Sequence, residues 1–176
     1  MRLEPGDPAP AFPASDYLGR MLPPPGRNGR LIAFFRYADC PICNLRIRDL
    51  RKRHNALSRA GLETLAVFQS PAAHLAESLG GEEWPFPLIA DEPLEHYRAW
   101  GVETSWAGLL SPWSIATAFK AMAAGHLPSR IDGPVHRMPA DFVVDDKGVI
   151  ALAHYGHDAG DHLPLEHVWR WIMSLD

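Results

Sequence analysis

The sequence predicts an α/β fold, a central mixed sheet flanked by helices. Short apolar runs alternate with stripes of helical spacing along most of the chain, the pattern of parallel strands joined by crossover helices. Near the C-terminal end the alternation gives way to two strands joined by a tight turn, which is an antiparallel pair. A third observation is a Cys-x-x-Cys pair, Cys40 and Cys43, set between a predicted strand and a predicted helix.

The leading segment carries Pro5, Pro8, Pro10 and Pro13 and is expected to hold no helix. A second cluster, Pro23-Pro24-Pro25-Gly26, gives way to the apolar run 31–35, which reads as a buried strand. After the loop Arg36-Tyr37-Ala38-Asp39, Pro41 suits the first turn of a helix, where its missing N–H would be unpaired anyway. Ile47, Leu50 and Leu57 keep helical spacing, with His54 in the same stripe, and Gly61 supplies the stop. Residues 63–68 form the next strand, 72–79 a helix, 86–90 a short strand and 94–100 another helix. The stretch 106–127 is apolar and helical in composition but broken at Ser111-Pro112. It predicts a helical insertion around 105–128, placed over the active site. Strands 140–144 and 149–155 flank Asp145-Asp146-Lys147-Gly148, a turn with glycine where a positive φ is useful. A helix over 165–175, with Val168, Trp171 and Ile172 at helical spacing, closes the chain.

The 176 residues are 47% hydrophobic and 22% charged, enough for a single domain over 1–176 with a real core. A net charge of −4 gives no electrostatic case for nucleic acid or for an anionic membrane surface. There is no run of about eighteen apolar residues and no apolar secretory segment at the start. The expected setting is cytoplasmic and reducing, where a close pair of cysteines is more often catalytic or metal-binding than permanently bonded.

A thiol attacks only as thiolate, and a helix start favours that anion through its unpaired N–H groups and dipole. Cys40, expected to be the more exposed, is then the attacking residue. Cys43, one turn on, resolves a mixed disulfide or a sulfenic acid. Asp39 next to it opposes the anion, so only a modest lowering of the Cys40 pKa is expected. The pair has two other readings, inert core cysteines and a zinc site completed by histidines such as His154 and His157. The place between strand and helix argues against the first, and the long spacing against the second.

These segments together resemble the alkyl hydroperoxide reductase/thiol-specific antioxidant family, and within it peroxiredoxin-like proteins with a Cys-Pro-x-Cys motif. The likeness runs from Gly6-Asp7-Pro8-Ala9-Pro10 through Phe34-Phe35-Arg36-Tyr37 and Cys40-Pro41-Ile42-Cys43-Asn44-Leu45-Arg46. It continues at Trp84-Pro85-Phe86-Pro87-Leu88-Ile89-Ala90-Asp91 and at Phe142-Val143-Val144-Asp145-Asp146-Lys147-Gly148. The resemblance implies a thioredoxin-like fold and a thiol-dependent oxidoreductase. It implies a thioredoxin- or glutathione-like electron donor, a peroxide or disulfide substrate, no cofactor and no metal, and it allows a homodimer. It also implies a cis-proline facing the cysteines, best matched by Pro139, and an active-site arginine, for which Arg137 is nearest, with Arg130 and Arg36 as rivals.

The chain departs from the family at two points. The proline seven residues before the attacking cysteine is Ala33 here, and the threonine or serine three before it is Tyr37. The orienting hydroxyl is either missing or supplied by Tyr37, so peroxide reduction is expected to be weak and dithiol exchange retained. The alternative from another class is a non-catalytic redox-sensing or protein-binding module. Three further groups draw blander expectations. His54 is a core or rim histidine, and the basic run from Arg46 to Arg53 a solvated face. His154, His157, Asp161 and His162 form a hydrogen-bonded loop rather than a metal site. Trp106 and Trp113 are candidates to line a pocket for an apolar substrate or partner.

Overall fold

A computed structural model describes residues 1–12, 15–127 and 129–175. Pro13, counted in the proline-rich leading segment, and Pro128, at the end of the expected insertion, lie outside the described residues. The elements run β1 (Arg30–Phe34), α1 (Pro41–Arg59), β2 (Glu63–Phe68), α2 (Ala72–Leu79), β3 (Leu88–Ala90) and α3 (Glu95–Ala99). Then come α4 (Trp106–Leu109), α5 (Pro112–Ala123), β4 (Ala140–Val144), β5 (Ile150–Tyr155) and α6 (Leu165–Met173).

The sheet has five strands in the order β3-β2-β1-β4-β5. β1 pairs parallel with β2 and β2 with β3, whereas β1–β4 and β4–β5 are antiparallel. The sheet is therefore mixed, as the early alternation and the late hairpin require. β1 lies at its centre and is buried on both faces, which is why its sequence is a continuous apolar run. Leu31 and Ala33 join one core layer with Leu50 and Leu57 of α1 and Val168 of α6. Ile32 and Phe34 join the other with Tyr97 and Trp100 at α3.

The expected insertion is two helices. Ser111 caps α5 by accepting from the Ser114 N–H, and Pro112 occupies the first turn, so the break at Ser111-Pro112 is a helix start. α5 packs against α1, the helix that begins at the cysteine motif. The third strand is shorter than expected, 88–90 against 86–90. Phe86 is buried in the core without joining the ladder, and Pro87 has no N–H to give. No described helix is long and apolar enough to cross a membrane.

Candidate active site

β1 delivers the chain to the start of α1 through the loop 35–39. Cys40 is the N-cap of α1, with extended backbone (φ −66°, ψ 117°), and Pro41 follows in the first turn. An N-cap side chain receives the helix's unpaired N–H groups. Here the Cys43 N–H donates to Cys40 Sγ at 3.3 Å. Arg36 donates from Nη2 to the same sulfur at 3.0 Å, and its backbone N–H donates to Cys43 Sγ at 3.4 Å. The other guanidinium nitrogen, Nη1, donates to the Val135 carbonyl at 3.0 Å, so both ends of the fork are held. The Asn44 amide braces the loop by donating to the carbonyls of Ala38 and Cys40.

Burial resists a charge on Cys40. The Cys43 thiol and N–H and the Arg36 charge and hydrogen bond outweigh it, and the Cys40 pKa falls from 9.0 to about 6. Cys40 is thus a thiolate at neutral pH. Burial and the neighbouring Cys40 push Cys43 well up, so it keeps its proton. The lowering at Cys40 is larger than the modest one expected, because Asp39 faces elsewhere. Its carboxylate meets His74 Nε2 at 3.0 Å and accepts from the Arg130 N–H at 3.1 Å and the Ser129 hydroxyl.

The expectation of a more exposed Cys40 is corrected: both cysteines are 0% exposed. The Arg36 guanidinium, itself 3% exposed, sits on the Cys40 sulfur and is tied across to Val135. Tyr37 is also buried, its ring 5.6 Å from the Arg36 guanidinium carbon. Burial and the Cys40 charge push the Tyr37 hydroxyl up to about 12, so it stays protonated.

Beside the pair opens a cleft of about 210 Å³. Tyr37, Pro41 and Ile42 form one wall and Leu109, Ile115 and Met122 of the insertion the other. The two tryptophans expected there do not line it; they are exposed, and Trp106 stacks on His136 at 4.2 Å.

The other expected residues have these partners. Arg137 is buried, but it donates to the Val102 carbonyl at 2.8 Å and lies 5.1 Å from the Tyr97 ring. Arg130 pairs with Asp132. Of Arg36, Arg130 and Arg137, the one on the Cys40 sulfur is Arg36. The cis bond expected at Pro139 is not found, since no described peptide bond is cis. Pro139 instead extends the β4–β5 ladder, its carbonyl accepting from the Gly156 N–H at 2.9 Å. The histidine loop divides into His154 with Asp161 and His162 with the buried Asp141. Among the described residues no group of three or more His, Cys, Asp or Glu is placed to hold a metal ion. His54 packs near Phe86 in the core. The basic run is largely paired, Arg48 and Arg51 with Glu82 and Arg53 with Asp49.

The model of the AhpC/TSA family matches residues 5–153. The chain belongs to the AhpC/TSA family. It is a thiol-dependent oxidoreductase. A Mycobacterium tuberculosis relative, provisionally named a peroxiredoxin, is 28% identical over 164 residues, covering 92% of this chain and 91% of its own. A peroxiredoxin of Aquifex aeolicus is 25% identical over 179 residues, covering 97% of this chain and 68% of its own. Among solved structures, peroxidoxin BcpB of Mycobacterium tuberculosis superposes with a TM-score of 0.68 at 13% identity, covering 99% of both chains. That likeness shows the thioredoxin-like fold. In this AhpC/TSA protein His74 and Asp132 stand around the site without having been singled out in the sequence. They lie 34 and 92 residues beyond Cys40, and no spacing links them to it.

Proposed function

We propose that Cys40 is the attacking thiolate of a peroxide reductase and that Cys43 resolves it. The observation that carries this reading is the Arg36 guanidinium 3.0 Å from a fully buried Cys40 sulfur. Burial admits a small oxidant more readily than a folded protein's disulfide. The guanidinium stabilises the thiolate and offers positive charge where the departing oxygen gains negative charge. Arg36 thus takes the part first expected of Arg137.

The sulfur of Cys40 attacks the terminal peroxide oxygen. An S–O bond forms, the O–O bond breaks, and the departing oxygen takes a proton to leave as alcohol or water. The Cys43 sulfur then attacks the sulfenic sulfur, an S–S bond forms and water leaves. Cys43 is ready only then, because the Cys40 charge that helps hold its proton is gone once Cys40 is oxidised. Two electrons from a thioredoxin- or glutathione-like thiol restore the dithiol. The apolar cleft suits an organic hydroperoxide with a compact apolar group. The whole chain 1–176 acts as one domain, in the cytoplasm where such donors are kept reduced.

The test is peroxide consumption in a thioredoxin-coupled assay, run with hydrogen peroxide and cumene hydroperoxide beside insulin reduction. Wild type and Cys40→Ser are compared. Peroxide turnover that vanishes in Cys40→Ser supports the reading. Insulin reduction without peroxide consumption overturns it in favour of disulfide exchange.

A further inference from the structure

A buried histidine lies between two carboxylates next to the redox pair. His74 of α2 is 1% exposed. Its Nε2 meets Asp39 Oδ2 at 3.0 Å, and its Nδ1 meets an Asp132 carboxylate oxygen. Ionised carboxylates only accept, so both ring nitrogens carry hydrogen and the ring is an imidazolium. Asp39 immediately precedes Cys40. Asp132 belongs to the segment 129–135, which supplies the Val135 carbonyl that holds Arg36. Gln69 fastens the same segment by donating to the carbonyls of Asp132 and Pro134. Gly133 allows that approach: its φ is 65°, and a Cβ there would lie 3.2 Å from the Gln69 side-chain carbonyl carbon.

We propose that His74 is a positioning residue of the redox site. Its imidazolium ties the segment 129–135 to the loop before Cys40 and screens the Asp39 charge from the Cys40 thiolate.

The charged groups around the ring favour this arrangement. Asp39 faces it from the β1–α1 loop and Asp132 from the segment 129–135. Arg130 stands behind Asp132 at 3.1 Å, and Glu77 of α2 lies 3.9 Å from Arg130. Burial pulls the His74 pKa down, but the two carboxylates more than offset it and the pKa is raised. When the proton leaves at higher pH, one ring nitrogen presents a lone pair to a carboxylate. That contact becomes repulsive, the segment loosens, and Asp39 is uncovered beside Cys40. The proposal rests on Cys40 being the attacking thiolate, but its test needs no peroxide turnover.

The experiment labels the reduced full chain with iodoacetamide across a pH series, with Cys40 resolved by mass spectrometry. Wild type is compared with His74→Gln, Asp39→Asn and the double variant. His74→Gln is expected to raise the Cys40 labelling midpoint by about one pH unit, roughly a tenfold slower labelling below it. Asp39→Asn is expected to do little alone and to bring the midpoint back in the double variant, a coupling that independent sites do not show. Amide exchange over 129–136 is expected to quicken in His74→Gln. In wild type it should quicken, after correction for intrinsic rates, as pH rises past the His74 midpoint. An unchanged midpoint in His74→Gln overturns the proposal. So does a raised midpoint that Asp39→Asn fails to recover, the mark of a merely structural residue. Should His74→Gln not fold, the wild-type exchange series decides, and a flat profile overturns the proposal. A wild-type protein that consumes no peroxide sinks the functional reading and leaves these comparisons standing.

Discussion

Replacing Arg36 with Gln removes the charge from the Cys40 sulfur. The donor sits 3.0 Å from that sulfur, and both residues are buried. Opposite unit charges about 4 Å apart, with the positive charge spread over the guanidinium, attract by roughly 4 kcal/mol at an effective dielectric near 20. At about 1.4 kcal/mol per pKa unit that is about three units. The lowering at Cys40, from 9.0 to about 6, is of the same size. Arg36→Gln should therefore raise the thiol by about three units, toward 9, while the Cys43 thiol and N–H stay in place to favour the anion against burial. At pH 7 the thiolate share falls from about nine-tenths to about one-hundredth, so alkylation slows by roughly a hundredfold. Peroxide reduction should slow further, by about tenfold to a thousandfold, because an oriented donor for the departing oxygen is also lost. The assays are alkylation against pH and single-turnover oxidation followed by tryptophan fluorescence. Near pH 10 alkylation should recover and peroxide reduction should not. A labelling midpoint that stays near 6 in Arg36→Gln would refute the electrostatic argument.

Further outcomes follow from the same geometry. Cys43→Ser should stop after one oxidation, with a Cys40 sulfenic acid that a dicarbonyl probe traps; full thioredoxin-linked turnover would remove Cys43 from the reaction. Tyr37→Phe should leave alkylation unchanged and lower peroxide reduction by less than about tenfold, since Arg36 remains in place; equal losses in both would make Tyr37 a packing residue. The raised His74 pKa stabilises the fold fully below the ordinary histidine value of 6.5, and that stability is lost as pH rises through the folded value. Chemical denaturation midpoints should decline over that range, and His74→Gln should flatten the decline. Asp141 acts in the opposite sense. Its depressed pKa gives stability present above 3.8 and lost as pH falls through the folded value, which acid titration of unfolding would follow. Ile115→Arg at the cleft should lower kcat/KM for cumene hydroperoxide more than for hydrogen peroxide; equal effects would place the organic group elsewhere.

The order of strands and helices was legible because burial leaves a periodic trace. β1 reads as a continuous apolar run since both its faces are covered, and the turn at Asp145 to Gly148 announces the β4–β5 hairpin. The cysteine pair was legible for a local reason: Pro41 marks the helix start within the motif itself. What surrounds the sulfurs was not. Arg36 precedes Cys40 by four residues, but only the path of the loop decides that its guanidinium turns onto the sulfur, with Val135 holding the other end. Asp39 looked like an opponent of the thiolate because its partner His74 lies across a strand and a helix in the sequence. The burial of Cys40 depends likewise on Arg36 and the segment around Val135, which no local pattern announces.

The thiolate cap on α1 also bears on redox thermodynamics. The Cys43 N–H and the guanidinium both donate to Cys40 as an anion, and a disulfide sulfur, being neutral, accepts far more weakly. Each of these contacts therefore favours the reduced chain over the oxidised one. Whatever stabilises the dithiol makes the disulfide a stronger oxidant by the same free energy. Reduction should thus tighten the first turn of α1 and raise the melting temperature, and the couple should lie toward the oxidising end of the protein dithiol range. An electron donor of ordinary potential then regenerates the thiolate downhill.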